Sequence, residues 1–119
     1  MRVLPALCFF LLMAACNKPL PQIASFDLEA WRKDTDGCTG FRAQHQAALE
    51  AETIQMRGLS QMQIVHLLGK PDQNELYKRN QKFFYYWISG SPACTGKKAV
   101  RRLSVRFNAM GYAKEILIE

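Results

Sequence analysis

Histidine is scarce in this chain. His45 and His66 are the two present in 119 residues, and each stands alone in a segment that reads as helix. A general base or zinc site built on histidine therefore has little material, and His66 reads as a surface residue beside an apolar stripe. No glycine-rich phosphate loop is present. The acidic residues are scattered. Asp34 and Asp36 share a turn, but the five-ligand spacing of a calcium loop is missing. No cysteines stand in CxxC or other metal-type spacing. No serine, cysteine and carboxylate arrangement has the form of a catalytic motif. These absences argue against an enzyme, and neither a metal nor another cofactor is expected. A run long enough to cross a bilayer is also lacking. The apolar stretch from Val3 to Ala15 falls short of the roughly 20 residues that a spanning helix needs.

That short stretch carries information of its own. Arg2 precedes it and no charge interrupts it, the n-region and h-region of a secretory signal. Its end, Met13-Ala14-Ala15-Cys16, resembles a lipobox, with Met13 where leucine is usual. The resemblance implies cleavage before Cys16, acylation of that cysteine, and a tethered protein that needs no membrane-spanning element. The alternatives are an ordinary signal peptide cut nearby or a buried cysteine in a core helix. Asn17 follows, rather than aspartate, which among bacterial lipoproteins implies the outer membrane. No acidic run follows Cys16, so the periplasmic face is expected. The expected organisation is a signal peptide over 1–15, a lipidated tether over 16–25 containing Pro19 and Pro21, and a single domain over 26–119.

Loss of Arg2 leaves 15 Lys and Arg against 10 Asp and Glu, a net charge of +5. Such an excess suits lipid headgroups or acidic proteins, and export argues against nucleic acid. With Cys8 removed and Cys16 acylated, Cys38 and Cys94 remain. In an oxidising compartment a lone pair is most simply a disulfide; two separate buried thiols are the alternative.

The domain reads as helices followed by strands. Ser25 or Asp27 caps a short helix carrying Phe26, Leu28 and Trp31, and Asp34-Thr35-Asp36-Gly37 stops it. Residues 40–55 favour helix, with a modest apolar side of Phe41, Ala48 and Leu49. Ser60-Gln61-Met62-Gln63 is a capping box, with Leu59 and Ile64 as a hydrophobic staple. This helix runs over 61–68 with Ile64, Val65 and Leu68 buried, and ends at Gly69 and Pro71. Period-two patterns then predict strands over 75–78, 82–88, 100–107 and 112–118, with turns at Asn80-Gln81 and Asn108–Gly111. The fold class expected is α+β: two to three N-terminal helices packed on a three- to four-stranded antiparallel meander. Leu103, Val105 and Phe107 face the helices, while Arg102 and Arg106 lie on the other face, wet or at an interface.

Lys97, Lys98, Arg101, Arg102 and Arg106 form a basic set on one strand and its entry loop. They read either as a contact for anionic lipid or an acidic partner, or as a solvated face that blocks edge aggregation. In the aromatic strand, Phe84, Tyr86 and Ile88 are expected in the core. Phe83, Tyr85 and Trp87 are either a second small core under residues 26–41 or an exposed aromatic interface; a Cys38–Cys94 bridge favours the second core.

Gly58-Leu59-Ser60 through Ile64-Val65, then Leu67-Leu68-Gly69-Lys70-Pro71, resembles the "G-[ML]-[ST]-x-x-x-[VI]-x-x-x-[LI]-G-x-P" signature of the SmpA/OmlA (BamE-like) lipoproteins. Leu103 to Phe107 with Gly111 resembles their "L-x-V-x-F-x-x-x-G" hairpin, and Trp87 ends an aromatic strand as in that family. The resemblance covers roughly 57–118. It implies a BamE-like, β-lactamase-inhibitor-like fold at the inner surface of the outer membrane. It also implies a non-enzymatic accessory or scaffold role in outer-membrane protein assembly, with β-barrel assembly subunits and anionic lipid as candidate partners. The alternative is an inhibitor- or ligand-binding module on the same fold. The "P-D-I-x-Q-G" tether of the assembly subunits is missing here, and segment 26–44 with Cys38 is additional.

Overall fold

The computed structural model describes residues 18–89, 91–96 and 101–119. The signal segment, Cys16, Lys97 and Lys98 lie outside the described residues. Helix α1 (Leu28–Lys33) starts at Asp27, whose carboxylate accepts the amides of Glu29 and Ala30, so Asp27 rather than Ser25 is the cap. It ends in a 3-10 turn over Thr35–Gly37, where Asp36 and Gly37 both take positive φ. Gly37 is sterically required: a Cβ there would meet the carbonyl oxygens of Trp87 and Ile88 at 2.9 Å.

The helix expected over 40–55 is two helices, α2 (Phe41–Gln44) and α3 (Gln46–Met56), broken at His45. The His45 ring stacks on Phe41 at 4.0 Å, and its Nδ1 lies 2.9 Å from the Phe41 carbonyl. A side chain competing for a backbone acceptor weakens helix continuity at that point. Helix α4 (Gln61–Leu68) carries the full capping box: Ser60 Oγ accepts the Gln63 amide and Gln63 Oε1 accepts the Ser60 amide. Leu59 and Ile64 are both fully buried, as a staple requires. The buried stripe is rotated from the expected one. Leu67 is 3% exposed and Val65 is 38% exposed, because α4 packs on α1 as well as on the core.

Four strands form one antiparallel sheet in the order β1 (Gln73–Tyr77), β2 (Gln81–Ser89), β3 (Arg101–Phe107), β4 (Ala113–Ile118). The β1–β2 turn is Lys78–Asn80 where Asn80-Gln81 is expected, and Gln81 already pairs with Tyr77. A one-turn helix, α5 (Pro92–Thr95), interrupts the loop between β2 and β3. The class is therefore α+β, with four α-helices rather than two or three ahead of the meander.

Phe84, Tyr86 and Ile88 of β2 and Leu103, Val105 and Phe107 of β3 make the inner sheet face, all buried. They pack against Trp31, Leu49, Met56, Ile64 and Leu68. Each such side chain, removed from water, contributes about 1.5–3 kcal/mol. Segment 26–41 does not form a second core on the outer face. Phe26 and Trp31 join the main core, Trp31 lying 6.2 Å from Tyr86, and it is the turn at 35–37 that reaches the end of β2. The expected tether is also docked from Lys18 onward: Ile23 packs on the core and Ser25 Oγ donates to Glu52. No helix of the described residues is long and apolar enough to cross a membrane.

Candidate interaction surfaces

A buried polar network joins α1, α2 and β2. Arg42 and Asp72 form an ion pair of 2.7 Å with side chains 1% and 2% exposed. Asp72 Oδ2 also accepts the Trp87 amide at 2.8 Å, and its Oδ1 accepts the Asp36 amide at 3.0 Å. Arg42 donates further to the carbonyls of Trp31 and Trp87, and its guanidinium lies 4.5 Å from the Trp31 ring centroid. Asp34 accepts the amides of Thr39 and Arg42. Burial alone would raise the Asp34 carboxyl. The amides of Arg42 and Thr39, the Thr39 hydroxyl and the Arg42 charge outweigh it, so the carboxyl sits below its ordinary range. Burial also raises the Tyr86 hydroxyl, which donates to the Gly69 carbonyl at 2.8 Å. No buried side-chain nitrogen or oxygen among the described residues lacks a partner. The network thus ties α1 and α2 to the end of β2 through one buried ion pair and its backbone contacts.

The C-terminal carbonyls of α4, unpaired within the helix, are capped by α1. Trp31 Nε1 donates to Leu68, and Arg32 donates to Leu67 and His66. Beside this junction lies a hollow of about 460 Å³ lined by Arg32, Thr35, Asp36, Lys70 and the Arg42–Asp72 pair.

The outer sheet face carries most of the side chains that the sequence nominates for contact. Tyr77 meets Phe83 edge-on at 6.0 Å, and Phe83 stacks on Tyr85 at 5.9 Å. Arg102 lies 3.7 Å above Tyr85 and 5.7 Å from Trp87. Tyr85 is thereby buried, and Trp87 half-buried. Burial raises the Tyr85 hydroxyl, helped by the Glu75 charge and opposed by that of Arg102. Ser104 is also buried, flanked along β3 by Arg102 and Arg106 and paired with Tyr85. Two members of the basic set are ion-paired: Arg102 with Glu119 at 2.7 Å and Arg106 with Glu115 at 4.0 Å. Arg101 is exposed at the start of β3. Among the described residues this face carries a ladder of aromatic side chains and arginine.

Cys38 and Cys94 are joined as a disulfide, with Cα atoms 5.4 Å apart, linking the turn after α1 to α5. Among the described residues no cluster of three or more His, Cys, Asp or Glu could hold a metal ion. His66 is exposed on α4. Sequence reasoning missed Arg42 and Asp72 entirely. Their signal was slight: an arginine on the otherwise apolar side of a helix, and an aspartate directly after the Gly69-Lys70-Pro71 stop. The chain matches no protein-family model, no curated protein and no solved structure.

Proposed function

We propose that this chain is a non-enzymatic lipoprotein of BamE-like fold, anchored through Cys16 to the periplasmic face of the outer membrane. There it holds another envelope protein as an accessory or scaffold subunit of outer-membrane protein assembly. The observation that carries the reading is the ladder of Tyr77, Phe83, Tyr85, Arg102 and Trp87 across the outer sheet face. Its arginine, Arg102, is part-exposed and so is Glu119, with which it pairs. Tyrosine, tryptophan and arginine dominate interface hot spots, where truncation of one costs about 2 kcal/mol or more. The Cys38–Cys94 disulfide supports an oxidising compartment, and the lipobox-like Met13–Cys16 supports the anchor. The four-stranded meander behind a Gly-Leu-Ser helix start is compatible with the SmpA/OmlA resemblance.

The test is affinity purification from detergent-solubilised membranes, with wild type beside Arg102→Ala and Trp87→Ala variants of unchanged circular dichroism. A β-barrel assembly subunit is expected with wild type and lost with both variants. Recovery of a soluble periplasmic enzyme in its place would favour the inhibitor-type module and refute the scaffold reading.

A further inference from the structure

The N-terminal segment is held to the domain at the first described residue. Lys18 Nζ donates to the carbonyls of Gln55 and Arg57, each at 2.8 Å, at the C-terminal end of α3. Lys18 O accepts Gln63 Nε2 at 2.6 Å. Gln63 thus uses both ends of its amide, its oxygen in the capping box and its nitrogen on the incoming chain. From Cys16 to Lys18 is two residues, and an extended chain covers at most ~3.6 Å per residue, or about 7 Å in all. An acyl group on Cys16 therefore brings the bilayer surface within about that distance of Lys18.

Beside Lys18 the molecule presents apolar side chains to the outside. Leu20, Met62, Gln63 and His66 line a groove of about 330 Å³. Met62 is 83% exposed, Leu20 39% and Val65 38%. Met62, Val65 and His66 follow the i, i+3, i+4 spacing that sets them on one stripe of α4, opposite buried Ile64, Leu67 and Leu68. Helix α4 contains no Asp or Glu, so seating this stripe in lipid desolvates no carboxylate of the helix.

We infer that the Leu20–Met62–Val65 face of the domain rests in the headgroup region of the leaflet that carries the anchor. The short, pinned tether orients the domain, with the outer sheet face turned away from the bilayer. This rests on acylation of Cys16. Side chains of an interfacial helix reach about 5–10 Å into the headgroup and acyl boundary, enough to take Met62 and Leu20.

The test uses the acylated full-length product in vesicles of phosphatidylethanolamine and phosphatidylglycerol. A fluorophore is placed on Met62→Cys or, as control, on Glu75→Cys; Glu75 pairs with Phe83 and shares the outer sheet face. Cys38 and Cys94 are bridged, so each variant offers one new thiol. Lipid carrying a nitroxide near the headgroup should quench the label at 62 several-fold more than the label at 75. Equal quenching on vesicles that retain the acylated protein overturns the inference and leaves the anchor reading standing. Shielding of position 62 from an aqueous quencher without quenching by the lipid nitroxide means that protein covers the face, and overturns it too. An intact-mass spectrum without acyl groups on Cys16, and protein free of the vesicles, overturns both.

Discussion

At the scale of single residues, Arg42 and Asp72 separate two electrostatic roles in one small domain. A surface ion pair such as Lys33–Glu29, both side chains at least 70% exposed, is worth little. Arg42–Asp72 lies out of water, and the attraction offsets the desolvation only while both partners and their backbone contacts are in place. Truncation of one partner, as in Arg42→Ala, is expected to lower unfolding stability by about 3–5 kcal/mol, measured by urea titration. A double Arg42→Met, Asp72→Leu variant should recover part of that loss. No recovery would show that the backbone bonds to Trp31, Trp87 and Asp36, rather than the charges, carry the clamp. Asp34 adds a pH dependence. Its folded carboxyl titrates below the unfolded value of 3.8, so its stabilisation is complete above that pH. It is lost as pH falls through the lower folded value. Urea midpoints should therefore decline below about pH 3.8, and Asp34→Asn should be less stable at neutral pH with a flatter acid limb.

At the scale of elements, α4 is the pivot. Its N-terminus holds the incoming chain through Gln63, and its C-terminus is capped from α1 by Trp31 and Arg32. Gln63→Glu keeps the acceptor of the capping box but replaces the donor to Lys18 O with a carboxylate oxygen. Helix content should stay unchanged, with a stability loss of about 0.5–1.5 kcal/mol, since the lost bond is exposed to water. Amide exchange over residues 18–25 should rise selectively. Uniform acceleration across the domain would refute a local role for that contact. The start of α4 was legible because a capping box and staple are local chemistry, written within six residues from Leu59 to Ile64. The break at His45 was not. It depends on a histidine turning back on Phe41, while Arg42 beside it is drawn to Asp72, 30 residues away.

At the scale of the whole molecule, the disulfide ties the turn after α1 to the loop behind β2 across 56 residues. A Cys38→Ser, Cys94→Ser pair should lose about 4 kcal/mol, the chain-entropy value for a loop of that length, read as a urea midpoint matched by wild type in reductant. The sheet order and inner face were readable in advance, since alternation of Leu103, Val105 and Phe107 with polar neighbours leaves one way to cover the strand. The destination of segment 26–41 was not. A disulfide constrains one point of a segment, whereas the Trp31 indole had two faces of the sheet open to it. Packing on Tyr86 and the Leu68 carbonyl decided for the inner one. The sequence alone therefore determined what period and local chemistry can encode: the capping box of α4, the strands and the alternation that sets the inner sheet face. Tertiary structure decided which charges are buried, that Arg102 shields Tyr85 instead of facing solvent freely, and that the tether is pinned at Lys18. Each of those depends on residues distant in the chain meeting at hydrogen-bonding distance, and no local pattern carries that information.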